Sequence, residues 1–83
     1  MGEITVHFFA SARQVAGCVE TKLPCGSEPI TEEAFWQLLL ADFPALLSMR
    51  RTVRLARNEE YVGPGASFSA GDEVALIPPV SGG

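Results

Sequence analysis

Apolar and polar residues alternate near the start of the chain, and this period of two predicts half-buried β-strands. In residues 3–9, Ile4, Val6 and Phe8 fall on one side of the predicted strand. Residues 18–23 alternate in the same way, with charged residues on the side opposite the apolar one. We therefore predict that the chain begins with two strands whose apolar sides face one core.

Two segments carry a helical period instead. The shorter covers residues 10–16 and is predicted to end at Gly17. The longer covers residues 31–43, with Thr31 as the predicted N-cap, because a threonine hydroxyl can accept a hydrogen bond from a free N–H of the first turn. Pro44 forces the preceding residue out of helical geometry and ends this helix. The apolar positions of the longer period are Ala34, Phe35, Leu38 and Leu39.

Strand character returns in the second half of the chain, at residues 52–56, 61–62 and 73–77. The resulting order predicts an α+β domain in which one main helix covers a mixed sheet of about five strands. The long connection between the early and the late strands allows the first and the last strand to pair in parallel. This is the order of a β-grasp fold, although other small α+β sheets share the periodicity.

Length and composition restrict the chain to one small folded domain. It has 83 residues, of which 47% are hydrophobic, and it carries a net charge of -4 with only 6 Lys and Arg. Such a surface repels phosphate backbones, so we expect no nucleic-acid partner. We also expect no membrane association, because no apolar run reaches the ~20 residues of a membrane helix. The N-terminus lacks signal-peptide character, so we expect a cytoplasmic protein.

Candidate catalytic groups are sparse. The chain has 1 His and 2 Cys without the spacing of metal ligands, so we expect no metal site and no self-contained active site. We interpret Cys18 and Cys25 as reduced thiols, and His7 as a residue of the sheet surface or of an interface rather than a catalytic base. Four arginines lie close together: Arg50, Arg51, Arg54 and Arg57. They form either a solvated strand edge or an electrostatic contact with a partner.

The last residues are the unusual feature of the sequence. Two consecutive glycines end the chain, which happens by chance in about 0.5% of sequences. Pro78 and Pro79 cannot donate to a sheet ladder, so we predict a folded domain at residues 1–77 and a flexible tail at residues 78–83. Glycines let a tail enter a narrow cleft of a partner and bring the Gly83 carboxylate to reactive atoms there. Once activated, for instance as an acyl-adenylate, this carboxylate could be converted by sulfide into a thiocarboxylate.

Four stretches of the sequence resemble those of a known family. They are residues 8–13 with Gly17 following, residues 42–46, residues 57–62 and residues 71–83. Over essentially its full length the chain resembles the small subunits of molybdopterin synthase, the sulfur-carrier branch of the ubiquitin-like β-grasp proteins. The last stretch is the most specific, because it joins Gly-Asp-Glu-Val to a Pro-Pro-Val-Ser-Gly-Gly ending. A bare Gly-Gly end also occurs in ubiquitin and in the thiamine sulfur carrier.

The resemblance implies a role for the tail. An adenylyltransferase of the ubiquitin-activating type would use ATP to adenylate Gly83, which is then converted to a thiocarboxylate. The tail would enter the large, catalytic subunit of the synthase, which transfers the sulfur to a pterin precursor in molybdenum cofactor biosynthesis. The tail-insertion residues are then Pro78, Pro79, Val80, Ser81 and Gly82. The chain would bind no cofactor and would donate sulfur without being an enzyme on its own.

The resemblance also implies a partner interface. Arg13 matches the arginine of the family's Phe-Ala-x-x-Arg stretch, and Leu76 and Ile77 match apolar positions before the tail that face partners. Some relatives carry an aromatic ring at the position of Ile77, so the contact would be smaller here. Glu59 stands where many relatives have glycine in an Asn-Gly turn, and we therefore expect a longer or differently shaped hairpin.

Alternatives stay open for the last strand and for the tail. Val74 and Leu76 share one apolar face of this strand and Ala75 and Ile77 the other, so core packing competes with partner contact at each position. The same ending would also suit a thiamine-type sulfur carrier or a ubiquitin-like modifier that joins Gly83 to a lysine. It would equally suit an interaction module whose tail carries out no chemistry.

Overall fold

The computed structural model of the chain describes residues 2–79. Within this range lie two α-helices, a 3₁₀ helix and seven strands. In chain order they are β1 (Gly2–Phe8), α1 (Ala10–Ala16), β2 (Glu20–Cys25), β3 (Ile30–Thr31), α2 (Glu32–Asp42), the 3₁₀ helix (Pro44–Met49), β4 (Arg54–Arg57), β5 (Glu60–Tyr61), β6 (Ser67–Phe68) and β7 (Glu73–Ile77). The bounds of β7 and α1 are those that the sequence pattern predicts.

Five of the described strands form one mixed sheet in the order β2-β1-β7-β4-β5. β1 and β7 pair in parallel, with Val6 opposite Val74, and the other neighbours pair antiparallel. A parallel pair needs a long crossover, and α2 lies in this connection. The predicted α+β class and the central parallel pair are therefore confirmed. β3 and β6 form a separate two-stranded sheet, which the sequence pattern missed because each strand has only 2 residues.

One hydrophobic core lies between the sheet and the helices. β1 contributes the side that its alternation predicts, since Ile4, Val6 and Phe8 are at most 1% exposed. The helical period was less accurate, because Trp36 is fully buried whereas Leu38 is only partly buried. The α2 residues that are fully buried in this core are Phe35, Trp36 and Leu39.

Local signals determine the helix ends. Thr31 Oγ1 accepts a hydrogen bond from the Ala34 N–H at 3.1 Å, which confirms the predicted N-cap of α2. The helix ends before Pro44, as predicted. At the end of α1, Gly17 adopts a φ of 82°, in the left-handed region, and its N–H donates to the Arg13 carbonyl at 2.8 Å.

Two strands, β2 and β4, begin 2 residues later than predicted. β2 covers Glu20–Cys25 rather than residues 18–23, so Pro24 lies within the strand. A proline is tolerated there because β2 is an edge strand of the described sheet. β4 starts later than predicted, at Arg54, because the two preceding N–H groups both donate to the Met49 carbonyl and hold that segment in a turn.

The β4–β5 hairpin has a two-residue turn, so the expectation of a longer or differently shaped hairpin is wrong. Arg57 pairs with Glu60, which leaves Asn58 and Glu59 as the central residues. Their φ angles of 51° and 74° are both positive, as a type I′ turn requires. Glu59 thus adopts a conformation that costs a residue with a Cβ about 1–2 kcal/mol. Asn58 offsets part of this cost, since its Oδ1 accepts a hydrogen bond from the Glu73 N–H at 2.9 Å.

Candidate functional site

The end of β7, where the predicted tail begins, is held on both sides by neighbouring strands. Leu76 lies opposite Phe8 of β1 and opposite Leu55 of β4, and its carbonyl accepts a hydrogen bond from the Phe9 N–H at 3.3 Å. Ile77 is paired with Arg54. The tail therefore starts from the middle of the sheet, so the direction of the chain at this point is fixed by pairing on two sides.

Alternation along β7 separates the two residues that were expected to contact a partner. Leu76 is 0% exposed and belongs to the hydrophobic core. The expectation that Leu76 faces a partner is therefore wrong, because its side chain points to the helices. Ile77 lies on the opposite face, which we call the outer face, and is partly exposed. Of these two residues, only Ile77 offers its side chain to a partner.

Arg13 lies close to the same end of β7. Its Nε donates a hydrogen bond to the Phe8 carbonyl at 3.4 Å, and Phe8 is the residue paired with Leu76. Arg13 itself is exposed on α1. The structure thus brings Arg13 and Ile77 to one end of the sheet, although their contact with a partner stays a prediction.

The outer face carries a shallow depression of about 420 Å³ in front of β1, β7, β4 and β5. Its lining residues are His7, Phe9, Ala56, Glu59, Tyr61, Glu73, Ala75 and Ile77. Two aromatic side chains in it are well exposed, Phe9 at 43% and Tyr61 at 55%. The Arg54 guanidinium stacks on the Tyr61 ring at 4.1 Å from the ring centre. Exposed aromatic and aliphatic side chains grouped in this way are typical of a protein-binding surface.

His7 marks the polar end of the depression. Its Nε2 lies 2.9 Å from Glu73 Oε1, and its Nδ1 lies 3.7 Å from Glu20 Oε1. His7 is therefore on the sheet surface, as the alternation of β1 predicts, between one carboxylate from each neighbouring strand. Sequence spacing could not have predicted this group, because Glu73 is 66 residues away along the chain.

Three of the four clustered arginines make different contacts. Arg50 forms an ion pair with Glu33 and stacks over Trp36 at 5.5 Å, so its guanidinium is held within the molecule. Arg57 donates a hydrogen bond to the Ser67 carbonyl. Arg54 stacks on Tyr61 at the outer face. The cluster predicted from the sequence is thus divided between the two sides of the sheet.

Residues 2–79 offer neither a metal site nor a membrane-spanning helix. No group of three His, Cys, Asp or Glu side chains in this part of the chain is arranged to hold a metal ion. In the same range, no helix combines the length and apolar character that a membrane span needs. Cys18 and Cys25 are partly buried and unbridged.

The described part of the tail is short. Pro78 is buried and Pro79 is exposed. Val80, Ser81, Gly82 and Gly83, which the sequence analysis assigned to tail insertion and sulfur transfer, lie outside the described residues. Their roles stay predictions, as does the division of the chain at residues 77 and 78.

Known proteins of similar sequence match the whole chain. "Molybdopterin synthase sulfur carrier subunit" of Chlamydomonas reinhardtii is 43% identical over 83 residues, covering 98% of this chain and 99% of the algal protein. The protein of the same name from Arabidopsis thaliana is 42% identical, covering 98% of this chain and 83% of the plant protein. Among solved structures, SAMP1 from Haloferax volcanii superposes with a TM-score of 0.82 at 30% identity, covering 99% of this chain and 100% of that protein.

The match to a family model agrees with the names of these relatives and continues to the last residue of the chain. The family model described as the ThiS family matches residues 6–83, which includes all of the described sheet after the start of β1 and the terminal glycines. We conclude that the chain belongs to the ThiS family.

Proposed function

We propose that this chain is the sulfur-carrier subunit of a molybdopterin synthase. The observation that carries the proposal is full-length similarity, at 43% and 42% identity, to two proteins of that name. The family match also continues to Gly83, the residue on which the chemistry depends. The chain is then a sulfur donor, and the catalytic groups that act on the pterin precursor belong to the large subunit.

The chemistry takes place at the Gly83 carboxylate. One carboxylate oxygen attacks the α-phosphorus of ATP on an activating adenylyltransferase, and pyrophosphate leaves. Hydrosulfide from a sulfur source then attacks the acyl carbon, and AMP leaves with the electron pair of the broken C–O bond, which yields the thiocarboxylate. In the synthase the thiocarboxylate sulfur attacks an electrophilic carbon of the precursor and displaces an oxygen leaving group, which departs with the electron pair of the broken C–O bond. Water then hydrolyses the acyl–sulfur bond, which leaves the sulfur on the product and restores the carboxylate.

The fold supports this chemistry because it sets the position from which the tail starts. β7 is paired on both sides, so a partner that covers the outer face also fixes where the tail begins. An extended chain of five residues, such as residues 79–83, spans about 16 Å, which is long enough to reach an active site below the partner's surface. Ile77 and Arg13 lie at this end of the sheet and are assigned to the interface with the large subunit. Two unbridged thiols agree with a reducing compartment, and we place the chain in the cytoplasm.

The test is the intact mass of the chain after incubation with ATP, an activating enzyme and a sulfur source. We expect a gain equal to the exchange of one oxygen for sulfur, localised to the C-terminal peptide. Removal of Gly83, or Gly82→Ala, should abolish sulfur delivery to the precursor and leave the thermal midpoint unchanged, because Leu76 is the last core residue of the described part of the chain. The matched control is Gly26→Ala, whose added Cβ meets nothing within 4 Å. Normal product formation by the chain lacking Gly83 would refute the proposal.

A second candidate, a protein modifier, is favoured by one observation. The solved structure titled small archaeal modifier protein 1 from H. volcanii superposes with a TM-score of 0.79 at 27% identity and covers 96% of this chain. A modifier would join the activated Gly83 to a lysine amine in an isopeptide bond, with AMP leaving. Higher-mass conjugates in cell extracts that disappear when Gly83 is removed would support this role. A thiocarboxylate without conjugates would support the sulfur carrier alone.

A further inference from the structure

Glu59 combines an unfavourable backbone conformation with a position on the outer face. Its φ of 74° lies in the left-handed region, where a Cβ is unfavourable and where a type I′ turn favours glycine. A residue held at such a cost is a reason to look for a function of its side chain. Glu59 is exposed and lines the depression of the outer face.

The contacts around Glu59 show which polar interactions its carboxylate makes within the described part of the chain. Among residues 2–79, its carboxylate takes part in no hydrogen bond or ion pair, whereas Glu73, the other carboxylate that lines the depression, is 2.9 Å from His7. The guanidinium of Arg54 is stacked on the Tyr61 ring. The depression therefore has an apolar floor near Ile77 and an unpaired carboxylate at its rim.

We infer that Glu59 is a partner-contacting residue of the outer face, and that its carboxylate pairs with a lysine or arginine of the partner that covers this face. The inference rests on the proposed function, since the partner is the large subunit of the synthase. The charge of this surface favours a basic group on the partner, because the chain has a net charge of -4 and both Glu59 and Glu73 line the depression. A partner that matches this surface has an apolar centre with a basic group at the hairpin side.

The experiment measures binding of the large synthase subunit from the same organism, by titration calorimetry at low and at high salt. Glu59→Gln keeps the size and backbone conformation of the residue and removes its charge. We expect about two- to fivefold weaker binding at low ionic strength, which is the range of an exposed ion pair. The difference should vanish at about 1 M salt, where charges are screened within ~3 Å.

Two further variants separate the effect of the Glu59 charge on binding from the effects of backbone strain and of folding stability. Glu60→Gln is the matched control, because Glu60 pairs with Arg57 and lies on the side of the hairpin opposite Tyr61, outside the depression. It should bind like the unaltered chain. Glu59→Gly removes both the charge and the strain, so it should weaken binding as Glu59→Gln does and yet raise the thermal midpoint by about 2–8 °C.

The possible results of this experiment test the role of Glu59 separately from the proposed function. Equal affinity and equal salt dependence of Glu59→Gln and the unaltered chain would overturn the role of Glu59 alone. Equal losses in Glu59→Gln and Glu60→Gln would also overturn it, because the effect would then be one of net charge. Absence of binding by the unaltered chain would overturn the proposed function and this inference together.

Discussion

Adjacent residues of β7 allow the core and the outer face to be tested separately. Leu76 and Ile77 are neighbours in sequence, both are aliphatic, and both are paired with β4. Leu76 is fully buried, whereas Ile77 is partly exposed on the opposite face. We therefore expect Leu76→Ala to impair mainly folding and Ile77→Ala to impair mainly partner binding.

The expected magnitudes follow from burial. Truncation of a fully buried leucine to alanine costs about 2–5 kcal/mol, because it removes apolar contacts and leaves a cavity. A chain of 83 residues has a free energy of unfolding of about 4–12 kcal/mol, at ~0.05–0.15 kcal/mol per residue, so Leu76→Ala should remove a large share of the stability. Ile77→Ala loses less buried area and should cost about 1 kcal/mol.

Two assays on the same samples test whether each of the two side chains contributes to folding or to partner binding. Urea denaturation measures the free energy of unfolding, and titration with the large synthase subunit measures Kd under conditions in which both variants are folded. Leu76→Ala should keep its affinity once folded, whereas Ile77→Ala should bind about tenfold or more weakly, as expected for an apolar contact at an interface centre. Loss of affinity in folded Leu76→Ala, with normal binding by Ile77→Ala, would show that the assignment of the faces is wrong.

Two local signals give further predictions. Thr31→Ala should destabilise the chain by about 1 kcal/mol, because the Ala34 N–H loses the acceptor of its cap hydrogen bond. Thr31→Ser, which retains the hydroxyl, should restore most of that stability, and an equal loss in both variants by thermal unfolding would argue against capping. Gly17→Ala should cost about 1 kcal/mol, since φ is 82° there although nothing lies within 4 Å of the added Cβ. Gly26→Ala, equally free of close contacts, should unfold like the unaltered chain in the same urea titration.

The outer face could be predicted only in part. Alternation in β1 and β7 indicates which residues share a face, as it did for Ala75 and Ile77. It does not say which of two apolar faces the helices cover, and the resemblance placed Leu76 on the partner side although it is buried. That choice depends on how α2 packs on the sheet, which is a property of the whole chain.

The sequence alone established the features that depend on residues close together in the chain. They include the Thr31 cap, the Gly17 helix end and the bounds of β7, because each depends on a local hydrogen bond or on a local period. The Gly-Gly ending is also visible in the sequence itself, and the chemistry proposed for Gly83 rests on it together with the similarity to the family.

Features that join distant residues were decided only by the tertiary structure. The pairing of β3 with β6, the burial of Trp36 and the approach of His7 to Glu73 all bring together segments far apart in the chain. Glu59 is the clearest case. Its residue type disfavours the tight turn, yet pairing of β4 with β5 and the hydrogen bonds of Asn58 hold it there, because the summed energy of these contacts exceeds the local cost.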